Sequence, residues 1–160
     1  MIKITVIAVG TLKEKYLKQA CEEYLKRLTP YAKLTVCEIS ECRASSSPSA
    51  AEIEAIKNKE GQAILAKIPK GAFVIPMCIE GKMLSSEEFS SKLSDTALRG
   101  YSDIALIIGG SFGLSDEVKK TGDLKLSFGK ITLPHQLMRV VLLEQLYRAF
   151  SIANNTKYHK

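Results

Sequence analysis

The stretch DIALIIGGSFGL, Asp103–Leu114, decides the fold. Its first half, Asp103–Ile108, is a continuous apolar run without polar alternation. That is the pattern of a strand covered on both faces, as in a parallel sheet. Its second half breaks into glycine at 109, 110 and 113. Glycine has no Cβ, so backbone N–H and C=O groups there can approach a ligand closely. The run Gly109-Gly110-Ser111-Phe112-Gly113 is neither GxGxxG nor a P-loop, because no lysine and hydroxyl follow it. A structural turn at a strand end is the simpler reading of the glycines alone.

Other strands and helices alternate outward from this stretch. KITVIAV (Lys3–Val9) is β-branched and ends at Gly10; KLTVCEI (Lys33–Ile39) and AFVIPMCI (Ala72–Ile79) read as further strands, and LKLSF (Leu124–Phe128) as a short fifth. Pro76 has no N–H for a ladder, which predicts an edge, bulge or strand end at that point. Apolar residues at helical spacing from Leu12 to Leu28, stopped by Pro30, predict an amphipathic helix. Ser49 with Glu52, and Ser85 with Glu88, have capping-box spacing and open helices to about Lys67 and Leu98. A long helix follows Pro134, from His135 to about Ala153, and Ser45–Ser49 (SSSPS) reads as a loop. Strands alternating with helices predict an α/β domain with a mostly parallel sheet and helices on both faces.

Composition agrees with one globular domain. The chain has 160 residues, 46% hydrophobic and 25% charged, which excludes disordered and fibrous classes. No apolar run approaches the roughly 18 residues of a membrane span. Ile2–Val9 is too short for a secretory signal and lacks a small-residue cleavage site, so a cytoplasmic location is expected. Cys21, Cys37, Cys42 and Cys78 form no CxxC pair, and His135 and His159 lie far from them in sequence. Free thiols without a role, an exposed Cys42 and no metal are expected.

Charge is uneven. Of a net +6, residues 125–160 carry Lys125, Lys130, Arg139, Arg148, Lys157 and Lys160 against Glu144 alone, with Tyr147 and Tyr158 among them. Basic residues interleaved with aromatics suit a phosphate-rich partner with bases to stack on; a solvated helix face and a basic tail make the simpler alternative.

In parallel sheets, ligands bind beyond the carboxyl ends of the strands. That rule selects Glu80-Gly81-Lys82, the glycine run after Ile108, and Gly129–His135. Read together with ITVIAVG and LKEKY near the start, EGQAILAKI (Glu60–Ile68), IEGKMLSSEEF (Ile79–Phe89), IIGGSFGL (Ile107–Leu114), LSFGKITLPHQLMRVVLLEQLYRAF (Leu126–Phe150) and the final YHK (Tyr158–Lys160), these segments give the chain a clear likeness. It resembles, over its whole length, the bacterial 23S rRNA pseudouridine N3-methyltransferases of the SPOUT class, the RlmH family.

The resemblance implies a single SPOUT methyltransferase domain with a C-terminal trefoil knot over about residues 103–155, and a homodimer with its site near the subunit interface. It implies S-adenosyl-L-methionine as cofactor and 23S rRNA in the assembled ribosome as partner, with neither membrane nor DNA. Carried onto this sequence, the cofactor pocket comprises Met77, Gly109, Phe128, Gly129, Lys130, Ile131, Thr132 and Leu133. Phe112, where a polar residue is expected, and Pro76 before Met77 depart from the family's pattern. The reaction must remove the N3 proton of pseudouridine, by a base or with cationic groups that stabilise the anion. Four residues are candidates for catalysis: His135, Arg139, Tyr158 and His159. A helix N-terminus disfavours imidazolium, so His135 is a candidate proton acceptor, or else a capping or interface residue. Arg139 would hold RNA phosphate or the anion, or else pair across subunits, for instance with Glu144. Tyr158 would stack on or bond the target base, and His159 would act as base or phosphate ligand. Two other classes stay open: a SPOUT enzyme acting on another RNA, and a non-catalytic basic module that binds RNA or a ribosomal particle.

Overall fold

A computed structural model describes all residues, 1–160. In chain order the elements are β1 (Ile2–Val9), α1 (Lys15–Leu28), β2 (Ala32–Ile39), α2 (Ala50–Leu65), β3 (Phe73–Met83), α3 (Ser86–Leu98), β4 (Asp103–Ile108), α4 (Asp116–Lys120), β5 (Leu126–Ser127) and α5 (His135–Ala153). The five strands form one sheet in the order β2-β1-β4-β3-β5, and every pairing is parallel.

Continuous apolar strands serve two cores here. Ile4, Val6 and Ala8 of β1, with Ile104, Leu106 and Ile108 of β4, face α1, α3 and α5, where Leu17, Leu28, Phe89, Leu93, Leu142, Leu143 and Leu146 meet them. Ile7 and Val9 of β1 and Ile107 of β4 face α2 and α4, against Ile64 and Val118. Alternate residues of one strand thus point into different cores, which explains why no polar alternation marks β1 or β4.

Local signals set several boundaries. At α3 the capping box is complete: Ser85 Oγ accepts from Glu88 N at 3.1 Å, and Ser85 N donates to Glu88 Oε2 at 2.7 Å. At α2 only half forms. Ser49 Oγ accepts from Glu52 N, but the Glu52 carboxylate turns outward to take Ser45 N and Oγ at 3.0 and 2.9 Å, which holds it below the usual carboxylate range. Replacing Ser85 with Ala removes one acceptor from the α3 terminus. We expect a loss of about 1 kcal/mol in chemical denaturation, and an unchanged midpoint would mean that Glu88 carries the cap alone.

Four sequence expectations are revised. Helix α1 starts at Lys15 rather than Leu12, because Gly10–Glu14 is a loop engaged elsewhere, and Tyr16 is exposed. Strand β3 runs on to Met83, so Glu80-Gly81-Lys82 is strand rather than loop; Lys82 N bonds Lys125 O at 2.8 Å. The fifth strand contracts to Leu126–Ser127, since Asp123 and Leu124 donate their N–H groups to Val74 O before it begins. Cys42 is half-buried. Pro76 is not on an edge strand, since β3 lies between β4 and β5; it is the last residue of β3 paired with β4, and a register break follows it between Met77 and Lys82. A missing donor is tolerated where one ladder ends.

Candidate cofactor and RNA site

Three loops converge because their strands are neighbours. β4, β3 and β5 lie side by side, so the residues leaving their carboxyl ends share one edge of the sheet. Met77 pairs with Leu126, Pro76 pairs with Ile107, and Gly109 follows Ile108 directly. The expected cofactor residues Met77, Gly109 and Phe128–Leu133 are therefore brought to one edge. Met77 is buried, Gly109, Phe128, Gly129 and Leu133 are half-buried, and Lys130, Ile131 and Thr132 are exposed.

Each loop has a defined shape. A Cβ on Gly109 would stand 2.7 Å from the Gly113 carbonyl carbon, so the chain folds back on itself too closely for any other residue. The turn is closed by Gly113 N donating to Gly110 O at 3.0 Å, with Gly113 at φ +82°. Gly129 lies at φ +129°, and its N–H and O both bond Ser127 Oγ, at 3.1 and 3.0 Å. Ile131 is 81% exposed beside half-buried Leu133. Backbone-rich turns flanked by Met77, Ile131 and Leu133 suit a neutral aromatic ring and a sulfonium better than they suit a phosphate chain. By this test the residues fit S-adenosyl-L-methionine.

Carboxylates brace the edge from beneath. Glu60 of α2 is only 4% exposed; its Oε2 accepts from Cys42 N at 2.9 Å, and burial pushes its carboxyl up. Glu41 Oε1 accepts from Ser111 Oγ at 2.8 Å, tying the loop after β2 to the glycine turn. Sequence reading assigned neither glutamate a place. Glu60 lies inside a motif that carried the resemblance, and a charged residue among the apolar positions of α2 was the available signal.

The four candidate catalytic residues fall into two groups. His135 and Arg139 sit at the start of α5, against the loop after β1. Arg139 is 3% exposed and engaged at both terminal nitrogens: Nη1 donates to Glu38 Oε2 at 2.6 Å and Nη2 to Gly10 O at 3.0 Å, while its buried Nε has no partner. Gln136 Oε1 accepts from Lys13 N at 3.1 Å, a further tie between the same segments. His135 Nε2 is sealed against Gly10 without a partner. Within this chain Glu144 is not the partner of Arg139; it accepts from Arg148 Nε at 2.9 Å.

Tyr158 and His159 dock on the second half of α5, against Glu144, Tyr147 and Arg148, roughly 14–20 Å along the helix from His135 by its rise. Tyr158 O–H donates to Glu144 Oε1 at 3.0 Å, and its ring meets Tyr147 edge-on at 4.6 Å, with the Arg148 guanidinium 4.8 Å away over its face. Burial and the bonds to Tyr24 and Glu144 push the phenol well above its ordinary pKa. His159 Nδ1 lies 3.1 Å from Arg148 Nη1, and Nε2 lies 2.7 Å from Glu87 Oε1. Arginine only donates, so Nδ1 is the acceptor and Nε2–H donates to Glu87. The bond from His159 draws Glu87 below the usual carboxylate range.

A family model described as "Predicted SPOUT methyltransferase" matches residues 2–159. The chain belongs to the SPOUT methyltransferase family. It is 54% identical over 159 residues to the ribosomal RNA large subunit methyltransferase H of Carboxydothermus hydrogenoformans, and 52% identical to the protein of that name from Listeria monocytogenes strain EGD-e. In both cases the match covers 99% of this chain and 100% of the relative. Among solved structures it resembles a putative methylase family protein from Neisseria gonorrhoeae, with a TM-score of 0.54, 13% identity, and coverage of 90% of this chain and 81% of that one. A probable methylase family protein from Haemophilus influenzae gives 0.51 and 15%, over 97% and 67%. At such identities the likeness concerns the fold. No helix of this SPOUT family member is long and apolar enough to cross a membrane.

Proposed function

We propose that the chain is an S-adenosyl-L-methionine-dependent methyltransferase that methylates N3 of a pseudouridine in 23S rRNA of the assembled ribosome, in the cytoplasm, as one knotted SPOUT domain. The observation that carries this reading is the convergence of Met77, Gly109 and Phe128–Leu133 on one sheet edge, in a chain that matches relatives named as rRNA methyltransferases from end to end. When bound, the cofactor supplies the methyl group on its sulfonium. The glycine turn and the Phe128–Leu133 loop offer backbone groups and apolar walls that fix its orientation, which is positional catalysis. The pseudouridine gives its N3 proton to solvent water so that the ring nitrogen becomes the nucleophile, with the demethylated thioether of the cofactor as leaving group.

Within one subunit, His135 Nε2 and Arg139 face inward, and His159 is held far along α5. A homodimer reconciles these placements: the partner subunit presents its tail to the cofactor edge, so the site is complete only between two copies. Both ring nitrogens of the docked His159 are engaged, so it reaches the base by exchanging its Arg148 or Glu87 bond for one to the RNA.

Methyl incorporation into ribosomes from a strain lacking this gene, mapped by mass spectrometry, tests the reading. Label at N3 of a 23S pseudouridine is expected; transfer to another RNA, or failure to bind the cofactor in calorimetry, would reject it. Truncation after Thr156 should leave cofactor affinity nearly unchanged and lower turnover about tenfold or more. Full turnover in the truncated protein would remove the tail from the mechanism.

A further inference from the structure

Both C-terminal arginines that suggested a phosphate-rich partner are spent within the protein, whereas Lys125, Lys130, Lys157 and Lys160 are exposed and unpaired. Arg139 is engaged by Glu38 and Gly10, Arg148 by Glu144. Arg27 pairs with Glu23. Two arginines make neither a side-chain hydrogen bond nor an ion pair, Arg43 and Arg99, and both are exposed. They lie on opposite edges of the sheet. Arg99 follows α3 and precedes β4, at the amino edge, whereas Arg43 follows β2, at the carboxyl edge where the cofactor loops converge.

Arg43 is carried on a loop held from two sides. Directly before it, Cys42 N is fixed to buried Glu60, and Glu41 is fixed to Ser111 of the glycine turn. Glu41 also approaches Gly10, where His135 Nε2 lies. Glu41 is the one acid adjoining Arg43 in sequence, and its carboxylate already serves Ser111. Lys13 after β1 and Lys130 after β5, both exposed and without an acid partner, rim the same edge. A planar guanidinium on a pinned loop is preorganised to grip a phosphate bidentately.

We propose that Arg43 holds a backbone phosphate of the RNA substrate, fixing the strand beside the cofactor edge, with Lys13 and Lys130 extending the track. Arg43 thereby takes the phosphate-binding part expected for Arg139. The proposal rests on the reading of the chain as an RNA methyltransferase.

The test uses the full-length protein and ribosomes from a strain lacking this gene. Arg43→Gln should raise KM for ribosomes about tenfold, the worth of one charge-assisted bond, with kcat and calorimetric cofactor affinity close to wild type. The log–log slope of ribosome binding against salt should shrink by roughly 0.7–0.9, one phosphate contact. Arg43→Lys should restore most of the affinity, and Arg99→Gln should change neither quantity. Wild-type KM and slope in Arg43→Gln would overturn the proposal, and so would a loss confined to cofactor affinity. Binding that depends on Arg43 with no methyl transfer even by wild type would reject the enzymatic reading and leave Arg43's role standing.

Discussion

Gly109→Val should bind S-adenosyl-L-methionine at least about thirtyfold more weakly than wild type in calorimetry, a change of about 2 kcal/mol. The new Cβ would lie 2.7 Å from the Gly113 carbonyl carbon and 3.0 Å from both Gly113 O and Leu114 N. All three are backbone atoms, so no side-chain rotation relieves the contact. The turn cannot retreat either, because Leu114 is buried with Val9, Ile64 and Val118 in the core beneath α2 and α4. Residues 109–113 must therefore change path, and the cofactor edge with them. Gly113→Ala separates this effect from general damage. Its φ of +82° makes the substitution strained, but its Cβ meets nothing within 4 Å. It should cost about 1–2 kcal/mol of stability with a smaller loss of cofactor affinity. Wild-type affinity in Gly109→Val would mean that the cofactor binds elsewhere; equal losses in both variants would mean that the valine acts only by unfolding.

That prediction could be framed from sequence because strand ends and glycines are local signals. Asp103–Ile108 declared itself by an unbroken apolar run, and Ser85 with Glu88 marked a helix start that the structure keeps to the residue. Signals failed where partners are remote. Helix α4 has five residues, too few for a 3.6-residue period to register, and only Ser115 Oγ accepting from Val118 N marks its start. β3 continues through Glu80-Gly81-Lys82 because β5 lies beside it, and Gly81 is there because a Cβ would strike Lys125 and Leu126 backbone at 2.8–2.9 Å. The two-sided role of Arg139 was illegible for the same reason: Glu38 is 101 residues away in sequence, and spacing says nothing about which acid a buried arginine meets. The net charge of the C-terminal segment misled similarly. Counting cations does not reveal which are already neutralised: Arg139 and Arg148 are paired, Lys125, Lys130, Lys157 and Lys160 are not, and further free cations stand on loops at Lys13 and Arg43.

Arg139→Met should lower the free energy of unfolding by about 3 kcal/mol in denaturant titration, within the range for breaking a buried ion pair. Methionine keeps most of the volume but none of the donors. Gly10 O loses its bond from Nη2, and Glu38 Oε2 loses its partner at 2.6 Å. Glu38 is 41% exposed, so water recovers part of its solvation, and the loss lies mainly in the two broken bonds and the unpaired Gly10 O. Glu38→Gln should for that reason cost much less, about 1 kcal/mol, since its amide oxygen still accepts from Nη1. The asymmetry separates two roles for Arg139. As a bolt between α5 and the loop after β1, it fixes where the Phe128–Pro134 segment ends, and its loss costs stability and cofactor affinity together. As a phosphate ligand it would be dispensable for folding, and Arg139→Met would lose turnover at unchanged stability. Arg139→Lys discriminates further. One ammonium on a shorter reach cannot serve both Glu38 and Gly10 O as the planar fork does, so retained charge should rescue only part of the stability. A stability for Arg139→Met within about 0.5 kcal/mol of wild type, the range of ordinary surface substitutions, would show that the buried bonds contribute nothing and return Arg139 to the substrate.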